Sequence, residues 1–218
     1  MVPIFHAKLF ITELAERLFK TLQSLDTHFE IIFVNDASPD GSGAVATQLG
    51  KKIPNIKVIN LPRRLGQRRA LLAGIEAAQY SVIITMDDDL EHPPEAIPCL
   101  MDALAHGHDL VYAVPSLRPR NQIRNWASTV ALRFLSRLAF LKLPPTAFRA
   151  FDARLYRRNS LKQSLPLDLV LGHASQHACG LTVPYGSSAR CSNYGLVTLI
   201  QEALIILFQI LKWRLSKQ

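Results

Sequence analysis

Between Thr85 and Ala96 the chain reads TMDDDLEHPPEA, so an apolar run, Val82-Ile83-Ile84, ends in three consecutive aspartates and a glutamate. Like charges this close repel one another, and a fold tolerates them most readily around a cation. In an extended conformation residues i, i+2 and i+4 share one face. That spacing predicts Asp87, Asp89 and Glu91 together, with Asp88 pointing the other way. Three carboxylates at a strand end make a hard oxygen site suited to Mg²⁺ or Mn²⁺. Mg²⁺ commonly takes one or two carboxylates plus substrate phosphates, so a diphosphate is the natural second partner. The plainer alternative is an acidic, solvated turn in which Glu91 and Glu95 favour the positive end of a following helix. On the metal reading, Asp89→Ala and Asp87→Ala are severe, Glu91→Ala intermediate and Asp88→Ala mild.

Two further stretches carry polar chemistry. Asp36 and Asp40 bracket the turn NDASPDGS; Asp36 ends an apolar run and is placed to accept hydrogen bonds from a ligand, whereas Asp40 reads as a turn and cap residue. LPRRLGQRRALLAG sets four arginines around Gly66 where a helix begins, which is a ready anion site. Arg63 is the best placed of them, while Arg68 and Arg69 read as exposed helix charges. The seven histidines are scattered, and His92 beside Pro93 reads as loop packing. Cys99, Cys179 and Cys191 lack metal-ligand spacing and read as reduced packing residues of a cytosolic protein.

These residues need strand ends and helix starts to position them, and the first half supplies both. Apolar β-branched runs at Glu30–Asp36, Ile56–Leu61, Ser81–Asp87 and Asp109–Val114 predict strands. Helices are expected near Ser42–Leu49, over Gly66–Gln79, and from Pro93 to Gly107. That alternation implies an α/β fold with a mostly parallel sheet, whose ligands bind at the carboxyl ends of the strands. Asp36 and Asp87 both fall there.

The 218 residues are 49% hydrophobic and 19% charged, a globular composition with enough chain for a core. The opening MVPIFHAKLF lacks the basic start and long apolar stretch of a signal peptide. The net charge of +8 is unevenly spread. Residues 1–117 carry 10 Lys+Arg against 14 Asp+Glu, a net of −4; residues 118–218 carry 15 against 3, a net of +12. An acidic half that could hold a metal thus precedes a basic half that could hold anions. Arg120–Lys142 predicts a basic amphipathic helix, fit either for core packing or for a membrane surface. Leu196–Lys212 is too short and polar for a confident span and reads as an interfacial helix, followed by Trp213, Arg214 and Lys217. Aromatic residues do not cluster with the basic ones in any nucleic-acid motif, so nucleic acid is not an expected partner.

EIIFVNDASPDGS, LPRRLGQRRALLAG and ITMDDDLEHPPEAI together resemble glycosyltransferase family 2, in its branch of dolichyl- and polyprenyl-phosphate sugar transferases. VPIFHAK near the start, then RNWAS, FRAFDAR and SNY, fall in the order of the branch's other motifs, with Ala147 where the family's GDFR has Asp. The resemblance implies a GT-A fold and an inverting transfer from a UDP- or GDP-linked sugar to a polyprenyl phosphate. It implies that Asp36, Arg63, Asp87 and Asp88 serve the nucleotide sugar and that Asp87, Asp89 and Glu91 hold Mg²⁺ or Mn²⁺. Arg120, Arg124, Arg190, Ser192 and Tyr194 would receive the acceptor phosphate, with Asp89, Arg120 and Arg124 as catalytic residues. A phosphate monoester is largely ionised at neutral pH, so such an acceptor needs no strong general base.

The implied organisation is a catalytic domain over residues 1–195, divided near 117 into nucleotide and acceptor halves, with an interfacial helix over 196–218. The implied place is the cytoplasmic face of a membrane, against its anionic surface. A membrane-protein partner or a second copy of the chain is left open. Two alternatives remain: a soluble family member acting on a saccharide or lipid hydroxyl, and an inactive relative acting as a binding partner.

Overall fold

The computed structural model describes residues 1–115, 146–157 and 167–184. The helix expected over Arg120–Lys142 and the segment Leu196–Lys212 lie outside the described residues. So do Arg120, Arg124, Arg190, Ser192 and Tyr194.

The chain opens with β1 (Val2–Ile4), all three residues buried. It continues into α1 (Ile11–Gln23), a helix not expected from the sequence although its pattern is regular. Ile11, Leu14, Ala15 and Leu18 recur at helical spacing and are all buried, facing β2 and two later helices. Burying such a side chain contributes about 1.5–3 kcal/mol, so this one face anchors the helix. β2 (Ile31–Asn35), α2 (Ser42–Lys52), β3 (Ile56–Asn60), α3 (Gln67–Ala77) and β4 (Val82–Thr85) follow within a few residues of their expected places.

The proline-rich stretch begins as a 3₁₀ turn, Pro94–Ala96, because proline presets φ for a helix start. α4 (Ile97–Ala105) continues it, and β5 (Leu110–Pro115) completes the first half. Arg17 of α1 grips Glu95 with two hydrogen bonds, Nε at 2.9 Å and Nη2 at 2.7 Å, fixing that turn against α1. Beyond it lie β6 (Arg149–Asp152), α5 (Ala153–Arg157), α6 (Leu167–Ala174) and β7 (Ala178–Val183).

The strands form two sheets. One runs β1-β2-β3, all parallel; the other runs β4-β6-β5-β7, with β6 antiparallel to both neighbours and β7 parallel to β5. Met1 joins the two, since its amine donates to Ile84 O at 2.7 Å and its carbonyl accepts from Met86 N at 3.2 Å. The expected α/β architecture with a mostly parallel sheet is therefore present, and the basic half enters it through β6 and β7. Phe33, Phe148, Phe151, Tyr112 and Tyr156 are the largest fully buried side chains in the core. No helix among the described residues is long and apolar enough to cross a membrane.

Candidate functional site

β1, β2 and β4 end side by side, and the loops after them are fastened to one another by side chains that accept from backbone amides. Four consecutive amides of the loop after β1 are received in this way. Phe5 N donates to Asp88 Oδ2 at 2.9 Å, His6 N to Ser38 Oγ at 2.8 Å, Ala7 N to Ser42 Oγ at 2.9 Å and Lys8 N to Asp40 Oδ2 at 3.0 Å. Each bond removes an amide that the loop could not otherwise satisfy.

Asp40 is the hub on the β2 side. Burial alone would raise its pKa, but the Ser38 and Ser42 hydroxyls and the Lys8 and Ser42 amides all donate to it. The carboxyl is held well below the usual carboxylate range. Its reading as a turn residue stands.

Asp36 is buried, with 3% of its surface accessible. Oδ1 accepts from Leu65 N at 2.6 Å and Oδ2 from Gly66 N at 2.8 Å. The carboxylate expected to meet a ligand thus clamps the arginine-bearing loop before α3. Gly66 has φ 88° and ψ 156°, a region essentially closed to residues with a Cβ, so the clamp requires glycine. Arg63 points into solvent, and it is Arg64 that stacks on a neighbour, its guanidinium 4.0 Å from the Phe5 ring centre. Arg68 is not the exposed helix charge expected: it is half-buried, and burial with the Arg69 charge lowers its pKa, opposed by Tyr156.

At the acidic stretch the extended conformation assumed from the sequence fails. β4 ends at Thr85, and Leu90 adopts φ 60°, a left-handed conformation that turns the chain. Asp89 Oδ1 accepts from Glu91 N at 3.0 Å across that turn. Alternation therefore cannot place Glu91 beside Asp87 and Asp89. Among the described residues no three His, Cys, Asp or Glu side chains are gathered to hold a metal ion.

Asp87 and Asp89 do remain electrostatic neighbours. Burial, then the charges of Asp89 and Asp88, push the Asp87 carboxyl up to about 7, while Arg149 and a 2.7 Å hydrogen bond from Gln67 Nε2 pull the other way. Such a setting, short of positive charge, suits a divalent cation held by Asp87 and Asp89. Asp88 is 8% exposed and accepts from Phe5 N, which ties down the loop after β1. Loss of this carboxylate would leave Phe5 N without this acceptor.

His6, Ala37 and Leu90, one in each loop, all have positive φ, at 59°, 51° and 60°. Non-glycine residues held this way cost about 1–3 kcal/mol each and cluster at functional sites. A hollow of about 390 Å³ is lined by Asn35, Ser38, Gly43, Thr47 and Asn60, at the carboxyl ends of β2 and β3. A separate, more apolar cavity of about 220 Å³ opens at the other end of the strands, against Phe29–Ile32 and Val82–Ile84, away from these loops.

The remaining expectations divide. His92 packs as predicted, its ring 5.4 Å from Phe148. Cys99 is exposed instead of packed, and Cys179 is half-buried. Two residues were missed. Gln67 holds Asp87 from the first turn of α3, and Arg149, buried at the start of β6, pulls the Asp87 pKa down through its charge. FRAFDAR gives no local sign that Arg149 is buried, since arginines are mostly exposed.

The chain belongs to glycosyl transferase family 2, whose family model matches residues 1–165. It is 32% identical over 166 residues to a glycosyltransferase of Synechocystis, an alignment covering 75% of this chain and 52% of that one. It is 28% identical over 211 residues to the undecaprenyl-phosphate 4-deoxy-4-formamido-L-arabinose transferase of Pseudomonas paraeruginosa, covering 92% of this chain and 61% of the relative. The chain thus spans roughly half the length of such relatives. In fold it is similar to the glucosyl-3-phosphoglycerate synthase of Mycobacterium tuberculosis crystallised with phosphoglyceric acid, with a TM-score of 0.68 at 18% identity over 97% of this chain and 77% of that one. The same synthase crystallised with Mn²⁺ and UDP-glucose matches with a TM-score of 0.67 at 18% identity, over 96% and 77% of the two chains.

Proposed function

We propose that this chain is a metal-assisted, inverting glycosyltransferase that moves a sugar from a UDP- or GDP-linked donor to a polyprenyl phosphate. The observation that carries the reading is the crowded acidic end of β4. There Asp87, raised to about 7 by burial and two neighbouring aspartates, lies at the carboxyl edge of the sheet. Family membership and relatives named for undecaprenyl-phosphate transfer support the acceptor class.

Asp87 and Asp89 would hold Mg²⁺ or Mn²⁺, which supplies charge stabilisation for the departing nucleoside diphosphate. Asp36 fixes the Leu65–Gly66 turn and with it the arginine loop, leaving Arg63 free to meet the donor. Asp88 serves the same site by anchoring the loop after β1. Arg120, Arg124, Arg190, Ser192 and Tyr194 would receive the acceptor phosphate, which attacks from the face opposite the leaving group and inverts the sugar. The +12 charge of residues 118–218 suits an anionic membrane surface, which supports a position on the cytoplasmic face of a membrane.

A melting screen of UDP- and GDP-sugars, with and without Mn²⁺, tests the donor assignment. Ligand at a hundredfold excess over Kd stabilises by about 2.7 kcal/mol, roughly a 5–10 °C rise in Tm for a chain of this size. The matching donor with Mn²⁺ should give that rise, and the same pair should glycosylate undecaprenyl phosphate in vesicles. A protein that neither binds any nucleoside diphosphate with Mn²⁺ nor turns over any nucleotide sugar would overturn the reading.

A further inference from the structure

Two large apolar side chains among the described residues are exposed, and one of them, Leu9, has 86% of its surface accessible. A leucine scattered singly on a surface needs no explanation. Leu9 differs in its setting. It lies in the loop after β1, beside exposed His6 and Lys8 and half-buried Phe5 and Phe10. The amides of Phe5, His6, Ala7 and Lys8 are each held by a side chain of another loop, so the projection is built and braced.

The loop before α3 adds a cation at the same edge of the sheet. The Arg64 guanidinium lies 4.0 Å from the centre of the Phe5 ring, and the Phe5 and His6 rings meet edge to face at 4.4 Å. Lys8 and Arg64 are both exposed. Among the described residues no ion pair engages either of them. The carboxylates that adjoin the loop are taken up elsewhere. Asp88 accepts from Phe5 N, Asp40 accepts from Lys8 N and from Ser38 and Ser42, and Glu13 pairs with Arg17. An apolar tip flanked by unpaired cations fits a surface that is anionic outside and apolar beneath, as in a bilayer with acidic headgroups.

We propose that Leu9, with Lys8 and Arg64, is a membrane-contact tip that seats the carboxyl edge of the sheet on an anionic leaflet. The choice of partner rests on the function proposed above. A polyprenyl phosphate stays in the bilayer with its phosphate at headgroup depth, so a site that uses it must come close to the headgroups. The loop after β1 brings an apolar side chain to that edge, and the two cations meet lipid phosphate. A second copy of the chain is the competing occupant, and it is disfavoured because two such tips would bring like charges together.

Flotation of the full chain with vesicles tests this, using phosphatidylcholine alone and phosphatidylcholine mixed with phosphatidylglycerol. On the mixed vesicles Leu9→Ser should lower the partition coefficient about tenfold, the weight of one buried leucine side chain. Lys8→Gln should lower it about fivefold, and less on phosphatidylcholine alone. Leu9→Trp should bind at least as tightly as the wild type, because tryptophan favours the headgroup level. Tm should stay at the wild-type value in all three, since Leu9 is exposed and Lys8 is held through its backbone amide. Transfer to undecaprenyl phosphate in vesicles should fall in step with partitioning, while Mn²⁺-dependent donor binding stays unchanged. Wild-type partitioning by both Leu9→Ser and Lys8→Gln would overturn the proposal and leave membrane binding to the basic half. A wild type that ignores the vesicles but forms a Leu9-dependent dimer in ultracentrifugation would overturn it in favour of a second copy. Flotation needs neither donor nor acceptor, so a protein without transferase activity would remove the functional reading and leave the partitioning result standing.

Discussion

The acidic and basic halves of the chain reach the same site by different means. Residues 1–115 build it from loops after parallel strands, each loop fastened by carboxylates and hydroxyls accepting from backbone amides. β6 brings one arginine, Arg149, on a strand that runs antiparallel and lies between β4 and β5. In the first arrangement a turn such as Asp36–Ser42 receives the neighbouring loop with several side chains a few residues apart, and Phe5 N reaches Asp88 across 83 residues of chain. In the second, one side chain, Arg149, meets Thr85 across 64 residues. Carboxylates that position amides tolerate little movement of the backbone.

The sharpest break in this contrast is at the pair assigned to the cation. Asp87→Ala and Asp89→Ala should each reduce turnover of the donor by about 100-fold or more, the loss typical of removing one electrostatic stabiliser of a leaving group. Mn²⁺-dependent binding of UDP or GDP, followed by calorimetry, should fall with it while Tm in EDTA stays level or rises. If either variant retained wild-type Mn²⁺ dependence, the cation would sit elsewhere.

Next is Gly66→Ala. An added Cβ meets nothing within 4 Å, so the effect is one of backbone conformation alone. Holding alanine at φ 88° and ψ 156° costs about 1–3 kcal/mol. The protein escapes that cost by releasing the Gly66 amide from Asp36. Urea denaturation should show the destabilisation, and donor affinity should fall because Arg63 rides on the released turn. Equal stability for Gly66→Ala would mean that the clamp is dispensable.

Asp88→Ala against Glu91→Ala separates structure from sequence most directly. Alternation along a strand makes Glu91 the helper and Asp88 the idle member, whereas the structure gives the Asp88 carboxylate a backbone amide to hold. Asp88→Ala deprives Phe5 N of a charged acceptor, a change worth about 1–3 kcal/mol in stability. Glu91→Ala leaves intact the Glu91 N to Asp89 bond, which uses only backbone on the glutamate side. Chemical denaturation of the two variants side by side should show the larger loss for Asp88→Ala.

That contrast marks where the sequence stopped being legible. The strands at Ile31–Asn35, Ile56–Asn60, Val82–Thr85 and Leu110–Pro115 were foreseeable because apolar β-branched runs bounded by turn residues leave few alternatives. Asp36 and Asp87 were found because strand ends can be located from the same pattern. The left-handed turn at Leu90 was hidden, since leucine gives no local sign of positive φ, and with it went the face shared by Asp87, Asp89 and Glu91. α1 was readable from Ile11, Leu14, Ala15 and Leu18 but was passed over. β6 was not readable, because its pairing to both β4 and β5 is a property of the assembled sheet. Arg149 became a site residue only through that pairing.

The smallest effect belongs to Asp40, and pH isolates it. Its carboxyl is held well below the unfolded value of about 3.9 by donors from Ser38, Ser42 and Lys8, which outweigh the opposing effect of burial. A depressed native pKa means that the unfolded chain takes up the proton first. The stabilisation is therefore fully present above about pH 5 and is lost as pH falls through the acid range. Asp40→Asn removes the charge and most of this dependence. At pH 7 the variant should melt about 1–3 °C below the wild type, a modest gap because the carboxyl is partly solvated. The gap should narrow steadily toward pH 3. Other acids with lowered pKa values, Glu30, Glu95 and Asp109, titrate equally in both proteins, so the difference between the two curves belongs to Asp40. A gap that stayed constant from pH 7 to pH 3 would show that the loops of the acidic half are held by shape and neutral hydrogen bonds. The contrast with the buried charge of β6 would then be sharper still.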